Sequence, residues 1–130
     1  MGVRFPQVSS NTLLSGVLTQ NTEMAVVTSP PLNISLDNAQ VQIFWFYVMT
    51  LAAGTTAVSY RIRRGSGVAG TQVNVNSIIA EVASTVICRS GTYIDTPGVV
   101  AGQQYSLTVL TVAAGAAGTI QDACITVMSL

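Results

Sequence analysis

The sequence predicts an all-β sandwich, and three observations predict it. Residues 41–64, VQIFWFYVMTLAAGTTAVSYRIRR, are largely aromatic and β-branched, the composition that packs well on a pleated sheet. Short apolar runs recur at a spacing of roughly 8–12 residues, separated by Pro, Gly, Asn and Asp breakers. The strongest run alternates with the period of a strand. Val41, Ile43, Trp45, Tyr47, Met49 and Leu51 fall on one face, and Gln42, Phe44, Phe46, Val48 and Thr50 on the other.

Taken in order, residues 1–12 are polar, carry Pro6 and show no period, so they read as an N-terminal arm ahead of a single domain at 13–130. Residues 13–18 and 24–28 read as short strands. Ser29-Pro30-Pro31 then interrupts any ladder, because proline has no N–H to donate. Leu32, Ile34 and Leu36 alternate with Asn33 and Ser35, and Asp37-Asn38 turns the chain. Residues 41–64 read as a hairpin of two long strands joined across Ala52-Ala53-Gly54-Thr55. Residues 65–70, GSGVAG, form a loop; 71–75 read as a short strand, 77–84 as a strand or a single turn, and 85–89 as a strand. Asp95-Thr96-Pro97-Gly98 has Pro and Gly where a turn favours them. Residues 104–113 form a strong strand with Tyr105, Leu107 and Val109 on one face, 114–118 a flexible tip, and 119–128 a closing strand whose place at the chain end suits the middle of a sheet. The sum is eight to ten strands with no convincing helix. Strands broken by long loops favour a jelly-roll-like antiparallel sandwich over an immunoglobulin-like one. Trp45 also precedes both cysteines, which is the wrong order for an antibody-type domain.

Composition narrows the function. Charged residues make up 8% of the 130, against about 25% in an average soluble domain, and the net charge is zero. No apolar run approaches the ~18 residues that cross a bilayer as a helix. So little charge points either to a neutral, polar surface or to one buried in an assembly. The alternation of 41–51 favours the assembly, because Phe44, Phe46 and Val48 occupy the face that should be wet. Leaving each in water forgoes roughly 1.5–3 kcal/mol. A small sandwich covers one face of each sheet, so a neighbouring subunit is the simplest cover for the other. Phe44, Phe46 and Val48 are therefore the candidate subunit-interface residues.

The basic residues are all arginine, and Arg61, Arg63 and Arg64 cluster in RIRR. Arginine is preferred for interface and bidentate carboxylate pairs. With no basic excess, nucleic acid is not the expected partner. The three arginines are the candidate ion-pair and partner contacts, and with five acids in the chain they read as inter-strand or inter-subunit pairs. Cys88 and Cys124 lie in apolar, strand-like sequence and read as free thiols.

No catalytic, cofactor or metal site emerges. The chain has no histidine, which removes His-based acid–base catalysis, Ser–His and Cys–His dyads and most zinc sites. Residues 65–70 match G-x-G-x-x-G by letter, but TQVNVNS follows, which is β-branched and poor in helix formers. A dinucleotide site needs a helix N-terminus there. Five acids spread over the chain do not single out a carboxylate pair. Trp45 with Tyr47, Tyr60, Tyr93 and Tyr105 could line a sugar platform, but at strand spacing they read as core or interface.

The polar arm, the short Val/Thr/Ala-rich strands, TAVSYRIRRG ahead of a Gly-rich loop, and DTPGVVAGQQYSLTV together resemble small phage virion proteins. These are the decoration or cement proteins and related minor capsid proteins, with a jelly-roll, tumour-necrosis-factor-like sandwich, and the resemblance covers residues 13–130. It implies a non-enzymatic homotrimer that sits on a shell of major capsid protein and braces it against internal pressure, with arms reaching to neighbours. It carries over no catalytic residue. The expected location is the capsid surface of a virion, after synthesis in the host cytoplasm without a signal peptide. The expected partners are other copies of the chain and the major capsid protein, not nucleic acid or membrane. Two rivals stand beside this reading: a receptor- or carbohydrate-binding fibre or head module, and a lyase or hydrolase on a β-barrel.

Overall fold

The structure, a computed structural model, describes residues 7–13, 16–74, 77–80 and 86–129. These residues form eleven strands: β1 (Gln7–Leu13), β2 (Gly16–Leu18), β3 (Glu23–Thr28), β4 (Leu32–Ile34), β5 (Val41–Leu51), β6 (Thr55–Arg64), β7 (Ser77–Ala80), β8 (Val86–Asp95), β9 (Val100–Gln103), β10 (Tyr105–Ala113) and β11 (Gly118–Ser129).

Their pairing is nested. β1 and β2 pair with β11, β3 with β10, β4 with β9, β5 with β8 and β6 with β7, all antiparallel. The chain is thus one long ribbon doubled back between β6 and β7. It is rolled so that β5 also meets β11 and β6 also meets β10. The result is a first sheet in the order β1-β11-β5-β8, with β2 continuing the β1 edge along β11, and a second sheet in the order β3-β10-β6-β7. β4 and β9 form a small separate ribbon. A five-stranded and a four-stranded sheet built from one rolled ribbon make a jelly roll, as the loop-separated strand pattern predicts. β11 lies between β1 and β5, so the closing strand is central.

The core is the space between the sheets. Ile43, Tyr47, Met49 and Ile125 from the first sheet meet Val58, Ile62, Leu107 and Val109 from the second, and all are essentially without exposure. Trp45 stacks on Tyr47 at 5.8 Å and meets Tyr60 of the second sheet at 4.3 Å between ring centroids. Its indole needs Gly91, the residue opposite it on β8. A Cβ there would stand 2.7 Å from the ring, so a side chain would force Trp45 out.

At one rim, Asp95 of β8 ties the sheets together. Arg64 of β6 donates to both its oxygens, at 2.8 and 2.7 Å, and the Tyr105 hydroxyl of β10 donates at 2.7 Å. Burial works to raise the Asp95 carboxyl, but these hydrogen bonds outweigh it and hold it below the usual carboxylate value. Burial and the same carboxylate push the Tyr105 phenol upward.

Several elements differ from the sequence reading. Residues 41–64 are not a hairpin: β5 and β6 lie in different sheets, joined by an arch in which Gly54 and Thr55 donate to the Ala52 carbonyl. Each strand has a strongly apolar face, so stacking those faces buries more than pairing the edges would. Residues 7–12, read as arm, belong to β1, which covers the edge that β11 would otherwise expose; residues 1–6 lie outside the described residues. Residues 71–74 form no strand beyond a bridge between Gln72 and Arg63. The strand read at 85–89 runs on through Gly91 to Asp95, and β9 appears where only loop was expected. Of 77–84, residues 77–80 are strand, and 81–84 lie outside the described residues.

Candidate functional site

Strand alternation divides β5 as expected. Its odd-numbered residues from Val41 to Leu51 are buried, and its even-numbered ones are half-buried or exposed. Phe44 is 39% exposed, while Phe46 and Val48 are half-buried on the same outer face. Register fixes what flanks them. Phe44 stands between Thr92 of β8 and Thr126 of β11, Phe46 between Ser90 and Cys124, and Val48 between Cys88 and Asp122. Two phenyl rings on the central strand thus form a ridge between rows of small side chains, with a shallow hollow of about 380 Å³ beside them.

This outer face carries almost no charge. β5 and β8 turn Gln42, Phe44, Phe46, Val48, Thr50, Val86, Cys88, Ser90, Thr92 and Ile94 toward it, and β11 adds Asp122 near one end. Val86 and Ile94 are 60% and 49% exposed. Both thiols lie here and neither is in a disulfide, Cys88 exposed and Cys124 half-buried beside the Thr126 hydroxyl. They sit on strands separated by β5, too far across the sheet to bridge one another.

Arg61, Arg63 and Arg64 lie elsewhere, and each makes an inter-strand ion pair with an acid of its own chain. Arg61 and Arg63 share the outer face of the second sheet. Arg63 grips Glu23 of β3 through both carboxylate oxygens, at 2.8 and 2.9 Å, and Arg61 approaches it at 3.1 Å. The Thr108 hydroxyl donates to the same carboxylate at 2.6 Å. Burial pushes Glu23 upward, yet the bonds from Arg63, Thr108 and Arg61 prevail and bring it to about 2. Arg63 also donates to the Gly70 carbonyl, fixing the 65–70 loop. Arg64 points to the opposite face and is held by Asp95. The sequence shows the arginine cluster but not Glu23 and Asp95 as its partners, because strand register, not chain spacing, brings them together.

The glycine loop binds its own sheet. Gly65 and Gly67 adopt positive φ, and the Gly67 N–H donates to the Ser106 hydroxyl. The next element is β7, a strand. The five aromatics form no exposed platform: Trp45, Tyr47 and Tyr105 are buried, and half-buried Tyr60 and Tyr93 pack against the core and line, with Trp45, a hollow of about 210 Å³. Among the described residues, no group of three or more Cys, Asp or Glu side chains could hold a metal ion.

No family model matches the sequence, and no curated protein matches it. Solved structures do. The fold is similar to the capsid chain of the infectious bursal disease virus T13 particle, with a TM-score of 0.61 at 11% identity over 95% of this chain and 31% of that one. The VP2 subviral particle of the same virus gives 0.60 at 12% identity, over 96% and 32%. The fold is viral-capsid-like. The chain spans about a third of the length of those capsid chains. At such identities the likeness concerns the sandwich and not its residues.

Proposed function

We propose that the chain is a virion structural protein, a decoration or cement subunit that sits on a shell of major capsid protein as a homo-oligomer, with three copies favoured. One observation carries this reading: on a viral-capsid-like sandwich, the Phe44–Phe46 ridge and the uncharged face around it are left uncovered by the described chain. In this reading Phe44, Phe46 and Val48 lie at the subunit interface, where they recover the burial forgone in water. The mechanism is contact area. Each contact with the shell is weak, and many copies on a repeating lattice hold by avidity. A net charge of zero offers no counter-charge to packaged nucleic acid, which favours the outside of the shell. Arg61, Arg63 and Arg64 brace the subunit internally in this account.

The test is co-sedimentation of the purified chain with capsid shells that lack it. Saturable binding that survives dilution, and shells that resist heat better when coated, are the expected results. Absence of binding to any shell of the source virion contradicts the proposal.

A further inference from the structure

We propose that β8 is a strand-pairing edge whose occupant is β8 of a second copy, running antiparallel about a two-fold axis at Ser90. This goes beyond the virion reading and stands without it. β8 bounds the first sheet: β5 is its ladder partner on one side, and no described strand pairs with the other. A sheet edge offers a row of N–H and C=O groups to any other strand, and proteins blunt such edges with short strands, bulges, proline or charge. The other edges here carry those devices. The first sheet's far edge is divided into β1 and β2, of 7 and 3 residues. β3 opens with Glu23, and its ladder with β10 shifts register between Leu107 and Thr108. β7 runs only 4 residues. β8 runs 10 residues in unbroken register with β5 and without proline; its charges are Arg89, on the inner side, and Asp95 at its end, which Arg64 and Tyr105 hold within the chain.

The sequence of β8 also fits itself. Val86, Cys88, Ser90, Thr92 and Ile94 share the outer face and are all exposed. Val86 and Ile94, the large apolar pair, stand symmetrically on either side of Ser90. Antiparallel pairing about Ser90 sets Ser90 against its own copy, Cys88 against Thr92, and Val86 against Ile94, so each exposed apolar side chain covers the other. On the inner side, Ile87 meets Tyr93, and Arg89 meets Gly91, over which the Trp45 ring of the same chain lies. Facing apolar and aromatic pairs of this kind stabilise a ladder. The two first sheets become one continuous sheet, and the uncharged outer face runs unbroken across the junction.

The experiment places a thiol on the axis. In a Cys88→Ser/Cys124→Ser background, Ser90→Cys and Ile94→Cys chains are treated with diamide, which takes two electrons and two protons from a pair of thiols and leaves a disulfide. Facing residues of antiparallel strands have Cα atoms about 4.5–5.5 Å apart, within bridging range. Ser90→Cys is expected to give a covalent dimer roughly tenfold faster than Ile94→Cys, which faces Val86 and not itself. In the otherwise unaltered chain, Ile94→Lys is expected to weaken self-association roughly tenfold by sedimentation, about 1.4 kcal/mol. Equal linkage at the two positions, linkage at neither, or unchanged association of Ile94→Lys overturns the proposal.

Discussion

The two outer faces of the sandwich are built on opposite plans. The second sheet turns Glu23, Arg61, Arg63, Ser106 and Thr108 outward, ties Glu23 to Arg61, Arg63 and Thr108, and ties Ser106 to Thr28 and the 65–70 loop, so that Ser106 and Thr108 are fully buried on a face that nominally meets water. The first sheet turns out Phe44, Phe46, Val48, Val86 and Ile94, which the described chain leaves half-buried or exposed. One face is satisfied within the subunit and serves its stability. The other is unsatisfied within the subunit and is available to a partner. Substitutions on the two faces should therefore separate stability from association.

The largest loss of stability is expected at Arg63. Arg63→Met leaves the Glu23 carboxylate with Arg61 and Thr108 alone and frees the loop held at Gly70. Losing hydrogen bonds to a charged group costs about 2–3 kcal/mol, read as a lower urea midpoint, with self-association of the folded fraction unchanged. Acid should have the same target. Glu23 titrates at about 2 in the fold against an ordinary 4.5, so its stabilisation is complete above about pH 4.5 and is lost progressively as pH falls toward 2. Asp95, also lowered, adds to the same slope. In Arg63→Met the Glu23 share of that slope should shrink, which urea titrations at several acid pH values will show. The smallest effect on stability is expected at the ridge. Phe44→Ser removes a side chain that is 39% exposed and should move the urea midpoint of the dissociated chain by about 0.5 kcal/mol or less, while weakening association.

How far the sequence reveals this depends on which contacts are local. The face alternation of β5 is legible because period-two patterning is a property of one strand, and burial follows it residue by residue. The sheet partners are not legible, because nested pairing joins residues as distant as Gln7 and Ser129. That is why residues 41–64 read as a hairpin when they arch between sheets, and why Glu23 and Asp95 went unassigned. The strand read at 85–89 stops short of Gly91, yet β8 runs on through it and its lack of a side chain makes room for Trp45, a requirement visible only once the strands are aligned. β1 reads as an arm because QVSSNTL has no apolar face to announce a strand.

The most direct test of the account is the native mass of the full chain and of Phe44→Asp/Phe46→Asp, measured by sedimentation at equal concentrations, with urea unfolding of each alongside. The account predicts a multiple of the chain mass for the unaltered protein, a marked shift toward the single-chain mass for the double variant, and nearly equal unfolding midpoints for the dissociated chains. An unaltered protein that remains a stable single chain at every concentration would contradict it.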